Sequence, residues 1–220
     1  MKKLVIFDLD GTLLNTIDDL GQAVNYALQK SGFPTHNIAS YHFFVGNGVH
    51  KLISRSLPED YRSEATINTV LADFKQYYGE HMCEYTKPYD GIRELLSKLT
   101  SHGVRVAVAS NKYQIATERL MRHFFPDIEF TAICGHVDGM NPKPDPSIVF
   151  SILAQALVPK ANVLYVGDSG VDMETARRAC IESAGVTWGF RSEKELNENY
   201  ADHIIRKPED ILEIVFKEDV

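Results

Sequence analysis

"KLVIFDLDGTLLNT", residues 3–16, drives a short apolar run into two aspartates one residue apart and then a glycine. Leu4–Phe7 has the composition of a strand buried on both faces, the kind found in parallel sheets. In an extended chain, side chains two apart share a side, so Asp8 and Asp10 converge while Leu9 returns to the core. Two carboxylates so placed repel unless a cation lies between them or one stays protonated. Either outcome suits chemistry, with one carboxylate as nucleophile and the other as general acid and base. Gly11 lets the chain turn and opens backbone N–H groups to an anion. Taken alone, the stretch equally fits a strand ending in an Asp-Gly turn with two solvated carboxylates.

Two more runs, Val104–Ala109 and Val163–Val166, repeat the pattern of a buried strand followed at once by small or acidic polar residues. Between them the apolar spacing is helical, as in Ile92, Leu95, Leu96 and Leu99, or Ile148, Ile152, Leu153 and Leu157. This alternation predicts an α/β fold, a doubly wound, Rossmann-like parallel sheet whose ligands bind outside the carboxyl ends of the strands.

Residues 16–85 break the alternation. Asn15 or Thr16 can cap a helix with Asp18 and Asp19 in its first turn and a stripe of Ile17, Leu20, Val24 and Leu28 that stops near Gly32. Helical patches follow at Val49–Leu57 and Thr66–Tyr78 with no strand between them, and "TKPYDG" (86–91) reads as a return linker. The expected organisation is a core made of 1–15 and 86–220 with an all-helical insertion at 16–85. At the far end, "KPEDILEIV" (207–215) predicts a last amphipathic helix with Pro208 near its start.

Each later strand end offers a candidate group. Ser110 and Asn111 are small hydrogen-bonding side chains, suited to a ligand crevice and equally to a helix cap. "NPKPDP" (141–146) holds Lys143 between two prolines, either as a stiffly presented ammonium or as a solvated loop lysine. "VGDSGVD" (166–172) supplies Asp168 and, if a helix starts near Ser169, Asp172 in its first turn. Both are hard oxygen donors for a cation, or caps of that helix. Trp188 and the aromatics Tyr41, Phe43 and Phe44 read as packing residues.

Composition bounds the rest. The 220 residues are 44% hydrophobic with a formal net charge of -7 and a pI near 5.6. That balance provides a full core but no broad cationic surface, so a nucleic-acid partner is not expected. Three scattered cysteines fit neither a disulfide framework nor a zinc site, and no apolar run is long enough for a membrane partner or a signal segment. The expected location is the cytoplasm. The sequence carries no signal of oligomeric state.

In their order, Asp-x-Asp-Gly-Thr, Ser-Asn, a Pro-Lys-Pro loop and Gly-Asp-x-x-x-Asp resemble the haloacid dehalogenase superfamily over essentially the whole chain. "FDLDGTL", "GNG", "SNK", "KPDP" and "AGVTWG" are most similar to its phosphoglycolate-phosphatase-like members, which carry a helical cap after the first strand. The resemblance implies a magnesium-dependent phosphatase acting on a small phosphorylated metabolite. Asp8 would be the nucleophile that forms an aspartyl-phosphate, and Asp10 the acid and base. Mg2+ would be held by Asp8, the carbonyl of Asp10, Asp168 and, directly or through its neighbours, Asp172. Ser110 and Lys143 would hold the phosphoryl group, helped by N–H groups near Gly11, Thr12 and Asn111. Gly46, Asn47 and Gly48 would lie in a cap loop that closes over the substrate. A pyrophosphatase or phosphomutase could use the same core, and a receiver-type signalling domain uses similar groups. Asp10 disfavours the last, since it should hasten hydrolysis of the acyl phosphate.

Overall fold

The computed structural model describes residues 1–217. The chain begins with β1 (Leu4–Phe7), β2 (Leu14–Asn15), α1 (Ile17–Lys30), α2 (Tyr41–Phe44), α3 (Val49–Ser56), α4 (Glu64–His81) and β3 (Lys87–Pro88). It continues with α5 (Ile92–Ser101), β4 (Arg105–Tyr113), α6 (Gln114–Phe124), β5 (Ala132–His136), α7 (Ser147–Ala156) and β6 (Val163–Gly167). It closes with α8 (Gly170–Ala179), β7 (Glu182–Val186), α9 (Glu193–Glu198), β8 (His203–Ile205) and α10 (Asp210–Phe216).

Six strands form one parallel sheet in the order β5-β4-β1-β6-β7-β8, the expected α/β class. Alternation of side chains explains its two apolar layers. Val5 and Phe7 pack with Leu96, Leu99 and Ile211 on one face. Leu4 and Ile6 pack with Ile148, Ile152 and Ala176 on the other. All four β1 side chains are therefore buried, as a run of apolar residues without alternation demands. Phe7 pairs with both Val108 and Val166, which puts the C-terminal end of β1 level with these two positions of its neighbours. Successive strands are added on one side of β1 as far as β5 and on the other from β6 onward, the switch point where such sheets open a crevice.

The stretch between β2 and β3 is helical apart from short connections. Both crossings to it run side by side, Leu14 pairing with Pro88 and Asn15 with Lys87 in a short antiparallel ladder. Leu20, Val24 and Leu28 of α1 are buried with Ile67, Val70 and Phe74 of α4. Ser63 caps α4 by accepting from the Thr66 N–H at 3.2 Å.

Several expectations need correction. Strands β5, β7 and β8 were not foreseen, because "AICGH", "ESAGV" and "HII" are short and rich in small or polar residues. Strand β4 starts one residue later than expected and runs on through Ser110–Tyr113, with an irregularity after Ala109. Leu157 ends α7 in the left-handed region and stands 83% exposed, outside the stripe its spacing suggested. Phe43 is 76% exposed, whereas Tyr41 is buried and donates to Asn25 Oδ1 at 2.7 Å. The last helix begins at Asp210, just after Pro208.

Candidate active site

Asp8 and Asp168, just past the ends of β1 and β6, and Ser110, within β4, line one cavity, and the first turn of α8 adds Asp172. Asp8, Asp168 and Asp172 each present a carboxylate oxygen within 4.8 Å of the others, and all three are buried. Lys143, only 3% exposed, reaches into this cluster. Its ammonium donates at 2.8 Å to Asp8 Oδ1, to Asp172 Oδ1 and to the Ala109 carbonyl, with the Tyr165 hydroxyl at 3.1 Å.

Charge accumulates here beyond what one lysine offsets. Burial, then the charges of Asp172 and Asp10, push the Asp8 carboxyl up to about 7 against the pull of Lys143. Asp168 is raised well above the usual carboxylate range by burial and by Asp172 and Asp8, opposed by the Phe190 N–H at 2.6 Å. Burial alone would lower Lys143, but the carboxylates of Asp172 and Asp8 outweigh it and hold the ammonium charged. Three clustered acids that resist joint ionisation are the donor set of a hard divalent cation. The residues present thus fit magnesium.

Asp172 serves two ends. Its Oδ2 accepts from the Ser169 N–H at 3.2 Å and hydroxyl at 2.6 Å, closing the first turn of α8, while Oδ1 meets Lys143. Its two oxygens thus divide the work, one capping α8 and the other meeting the lysine in the cavity. Asp168 is seated by two glycines. A methyl group on Gly11, whose φ is +89°, would fall 2.3 Å from Asp168 Oδ2, and one on Gly189 would fall 2.3 Å from Asp168 Cβ. Only glycine permits either approach.

Asp10 shares the cavity but stands apart from the three-acid cluster. Its Oδ1 accepts from the Thr16 hydroxyl at 2.7 Å, and its two oxygens lie 3.0 and 3.1 Å from Lys112 Nζ. So its side chain is not where a cation shared by Asp8, Asp168 and Asp172 would draw it; the expected contribution was its backbone carbonyl.

Other expected contacts are arranged differently. The Gly11 N–H is taken up by the Leu14 carbonyl at 2.9 Å, and Thr12 N–H bends to the Leu9 carbonyl at 3.3 Å. Neither residue lines the cavity, because the turn after β1 needs these donors itself. Thr12 instead packs under Trp188, whose Nε1 donates to the Thr12 carbonyl at 3.1 Å. Gly46 and Gly48 do line the cavity, but Asn47 turns to Arg55, whose guanidinium donates to its Oδ1 at 2.8 Å. The Asn111 amide is fully engaged. It accepts from the Lys143 N–H at 2.7 Å and donates to the carbonyls of Lys143 (3.1 Å) and Gly46 (3.0 Å), tying the lysine loop to the helical insertion.

Among the lining residues that the sequence reading did not assign to the site are Lys112, Tyr78 and Arg191. Lys112 directly follows Ser110–Asn111, so a strand carried two residues further would have included it. Arg191 donates to the carbonyls of His42 and Val45, the latter at 2.7 Å, a second tie between the sheet side and the insertion. Nothing local marks that role.

A haloacid dehalogenase-like hydrolase family model matches residues 5–186. A phosphoglycolate phosphatase of Pseudomonas syringae pv. tomato is 33% identical over 202 residues, spanning 90% of this chain and 74% of the relative. One from Aquifex aeolicus is 28% identical over 97% of this chain and 96% of its own. A crystal structure from Lactobacillus delbrueckii subsp. bulgaricus, provisionally described as a phosphoglycolate phosphatase, is also similar. It superposes with a TM-score of 0.91 at 33% identity, over 99% of this chain and 100% of that one.

Proposed function

Proceeding from this chain's membership of the haloacid dehalogenase-like hydrolase family, in which it is a phosphoglycolate-phosphatase-like phosphatase, we propose a magnesium-dependent hydrolysis of small phosphate monoesters through an aspartyl-phosphate. One observation carries this reading: Asp8, held by Lys143 among two further buried acids, faces the same cavity as Asp10, which Thr16 and Lys112 hold outside the acid cluster.

Asp8 attacks phosphorus and the ester P–O bond breaks, its electron pair leaving with the alcohol oxygen, which takes a proton from Asp10. Asp10 then removes a proton from water, whose oxygen attacks the acyl phosphate. The P–O bond to Asp8 breaks, and phosphate departs. Asp8, Asp168 and Asp172 would hold magnesium, which when bound neutralises charge on the acids and on the transferred group. Ser110 and the Lys143 ammonium border the position of the phosphoryl oxygens and balance their charge.

Residues 16–85 act as a cap in this reading, with 1–15 and 86–220 as the catalytic core. Gly46 and Gly48 approach the cavity from the cap, and Asn111 and Arg191 hold that loop against the core, which keeps bulk water from the acyl phosphate. The substrate is a small phosphorylated metabolite, with 2-phosphoglycolate first among those to test, and the enzyme works in the cytoplasm. Among the described residues no helix is long and apolar enough to cross a membrane.

Phosphate release from a panel of monoesters and pyrophosphate, with magnesium and with EDTA, tests the proposal. Multiple turnovers on a monoester, abolished by Asp8→Asn, are expected. A single phosphate per chain, transfer to a second alcohol without release, or activity on pyrophosphate alone would refute it.

A further inference from the structure

One buried acid has no part in the chemistry above. Asp19, in the first turn of α1, is 3% exposed, and among the described residues it is the one buried carboxylate outside the acid cluster. Its hydrogen bonds run to the chain returning from the insertion. The Tyr85 N–H donates to both of its oxygens, at 3.0 and 3.2 Å, and the Thr86 N–H to Oδ2 at 2.9 Å. A carboxylate taken out of water needs donors of this kind, and bonds to it are stronger than those between neutral groups. They carry the pairing of Leu14 with Pro88 and of Asn15 with Lys87 a step beyond the ladder, so a shift of α1 against the returning chain breaks them.

The same turn begins at Thr16, the N-cap of α1. A threonine there ordinarily spends its hydroxyl on the N–H groups of the first turn. This one makes no such bond and donates instead to Asp10 Oδ1 at 2.7 Å. Thr16 is completely buried, and its carbonyl accepts from the Leu20 N–H at 3.1 Å, so the lie of the turn sets where the hydroxyl points. Residues three apart are neighbours on a helix surface. Thr16 and Asp19 therefore move as one piece, with Asp10 bonded to the first and the returning chain to the second.

We propose that Asp19 is a positioning residue for the general acid. By clasping the returning chain it fixes the first turn of α1, and through the Thr16 hydroxyl that turn fixes the Asp10 carboxyl against the leaving oxygen. Lys112 also holds Asp10, so a loosened turn leaves the carboxyl to the lysine alone. A misplacement of about 1 Å at a reacting group costs on the order of 10²-fold in rate. The inference rests on the phosphatase reading and adds to it a residue that acts on the acid without touching substrate.

The test compares kcat/KM on two esters. One is the alkyl monoester of the panel that turns over fastest, whose alkoxide needs a proton to leave; the other is p-nitrophenyl phosphate, whose phenolate leaves without one. The ratio kcat/KM covers binding and transfer to Asp8, so hydrolysis of the acyl phosphate does not enter. Asp19→Asn keeps the shape but turns an amide toward N–H donors, and should lose about 10-fold more on the alkyl ester than on the aryl one. Thr16→Val, which removes the hydroxyl at nearly constant shape, should lose at least as much. The double variant should lose no more than Thr16→Val alone, because the two residues act in series. Changes in the seating of the insertion or in phosphoryl binding fall on both esters and cancel. If Asp19→Asn does not fold, Asp19→Ser, whose hydroxyl still accepts from one N–H, takes its place. Equal losses on the two esters, no loss on either, or a double variant that loses the product of the single losses would overturn the role of Asp19 and leave the phosphatase reading standing. Wild-type enzyme that releases phosphate from neither kind of ester would overturn both.

Discussion

Asp8→Asn should make the metal-free protein more stable while abolishing turnover. Asparagine resembles the protonated carboxyl in shape and keeps an oxygen to accept from Lys143 Nζ, which lies 2.8 Å from Oδ1. Lys143 also retains Asp172. The Asp8 carboxyl titrates at about 7 in the fold against 3.8 when unperturbed. Between those values the native state holds a proton that the unfolded state has released, so stability falls as pH rises, and it levels off above about 7. At 1.36 kcal/mol per unit the accumulated penalty is about 4 kcal/mol. Asp168, raised partly by the charge of Asp8, moves in the same direction. In EDTA at pH 8 the variant should therefore melt roughly 8–16 °C above wild type. The gap should close toward pH 4, and magnesium should narrow it at pH 8 by binding the wild-type acids. Thermal melts followed by circular dichroism over this pH range measure it. A variant less stable than wild type at pH 8 in EDTA, or a gap independent of pH, would refute the claim that the acid cluster is held under electrostatic load.

Three further outcomes follow from the same geometry. Lys143→Met leaves Asp8 and Asp172 without their cation, so the metal-free variant should lose about 3–5 kcal/mol at pH 8 in a denaturant titration. It should recover part of this at pH 5, where Asp8 regains a proton. Gly11→Ala forces a methyl group to within 2.3 Å of Asp168 Oδ2 at a φ of +89°; it should weaken magnesium binding, read by calorimetry, and lower stability by about 1–3 kcal/mol. Arg191→Ala removes the donors to the His42 and Val45 carbonyls. It should cut kcat/KM on the order of 10-fold or more, with little change in the melting temperature of the core.

Much of this was legible in the order of residues. Leu4–Phe7, Val104–Ala109 and Val163–Val166 were readable as strands because a strand buried on both faces must be apolar without a break. The acids and the serine were readable because a parallel sheet presents its strand ends to one crevice. Strands β5, β7 and β8 were not, since edge position and small residues such as Gly135, Ala184 and Gly185 weaken the same signal. The two-residue pairing of β2 with β3 has no periodicity to detect, and neither does the exposed left-handed ending of α7 at Leu157. Gly11 and Thr12 were misplaced because the turn after β1 consumes its own N–H groups, a matter of a few ångströms that composition does not specify.

Local chemistry fixed the kinds of group at each strand end: a pair of acids, a hydroxyl and an amide, a lysine between prolines, and two acids at a helix start. It could not fix which of them meet. Lys143 finds Asp8 across 135 positions and Lys112 finds Asp10 across 102, distances over which periodicity carries no information. Strand order decides those pairings, and the seating of the helical insertion decides the rest, by placing Tyr78 over Lys112 and Gly46 against Asn111. Sequence supplied the reagents because propensity and patterning act between neighbours. Only the tertiary structure chose the partners, because contact between distant residues depends on how whole layers pack.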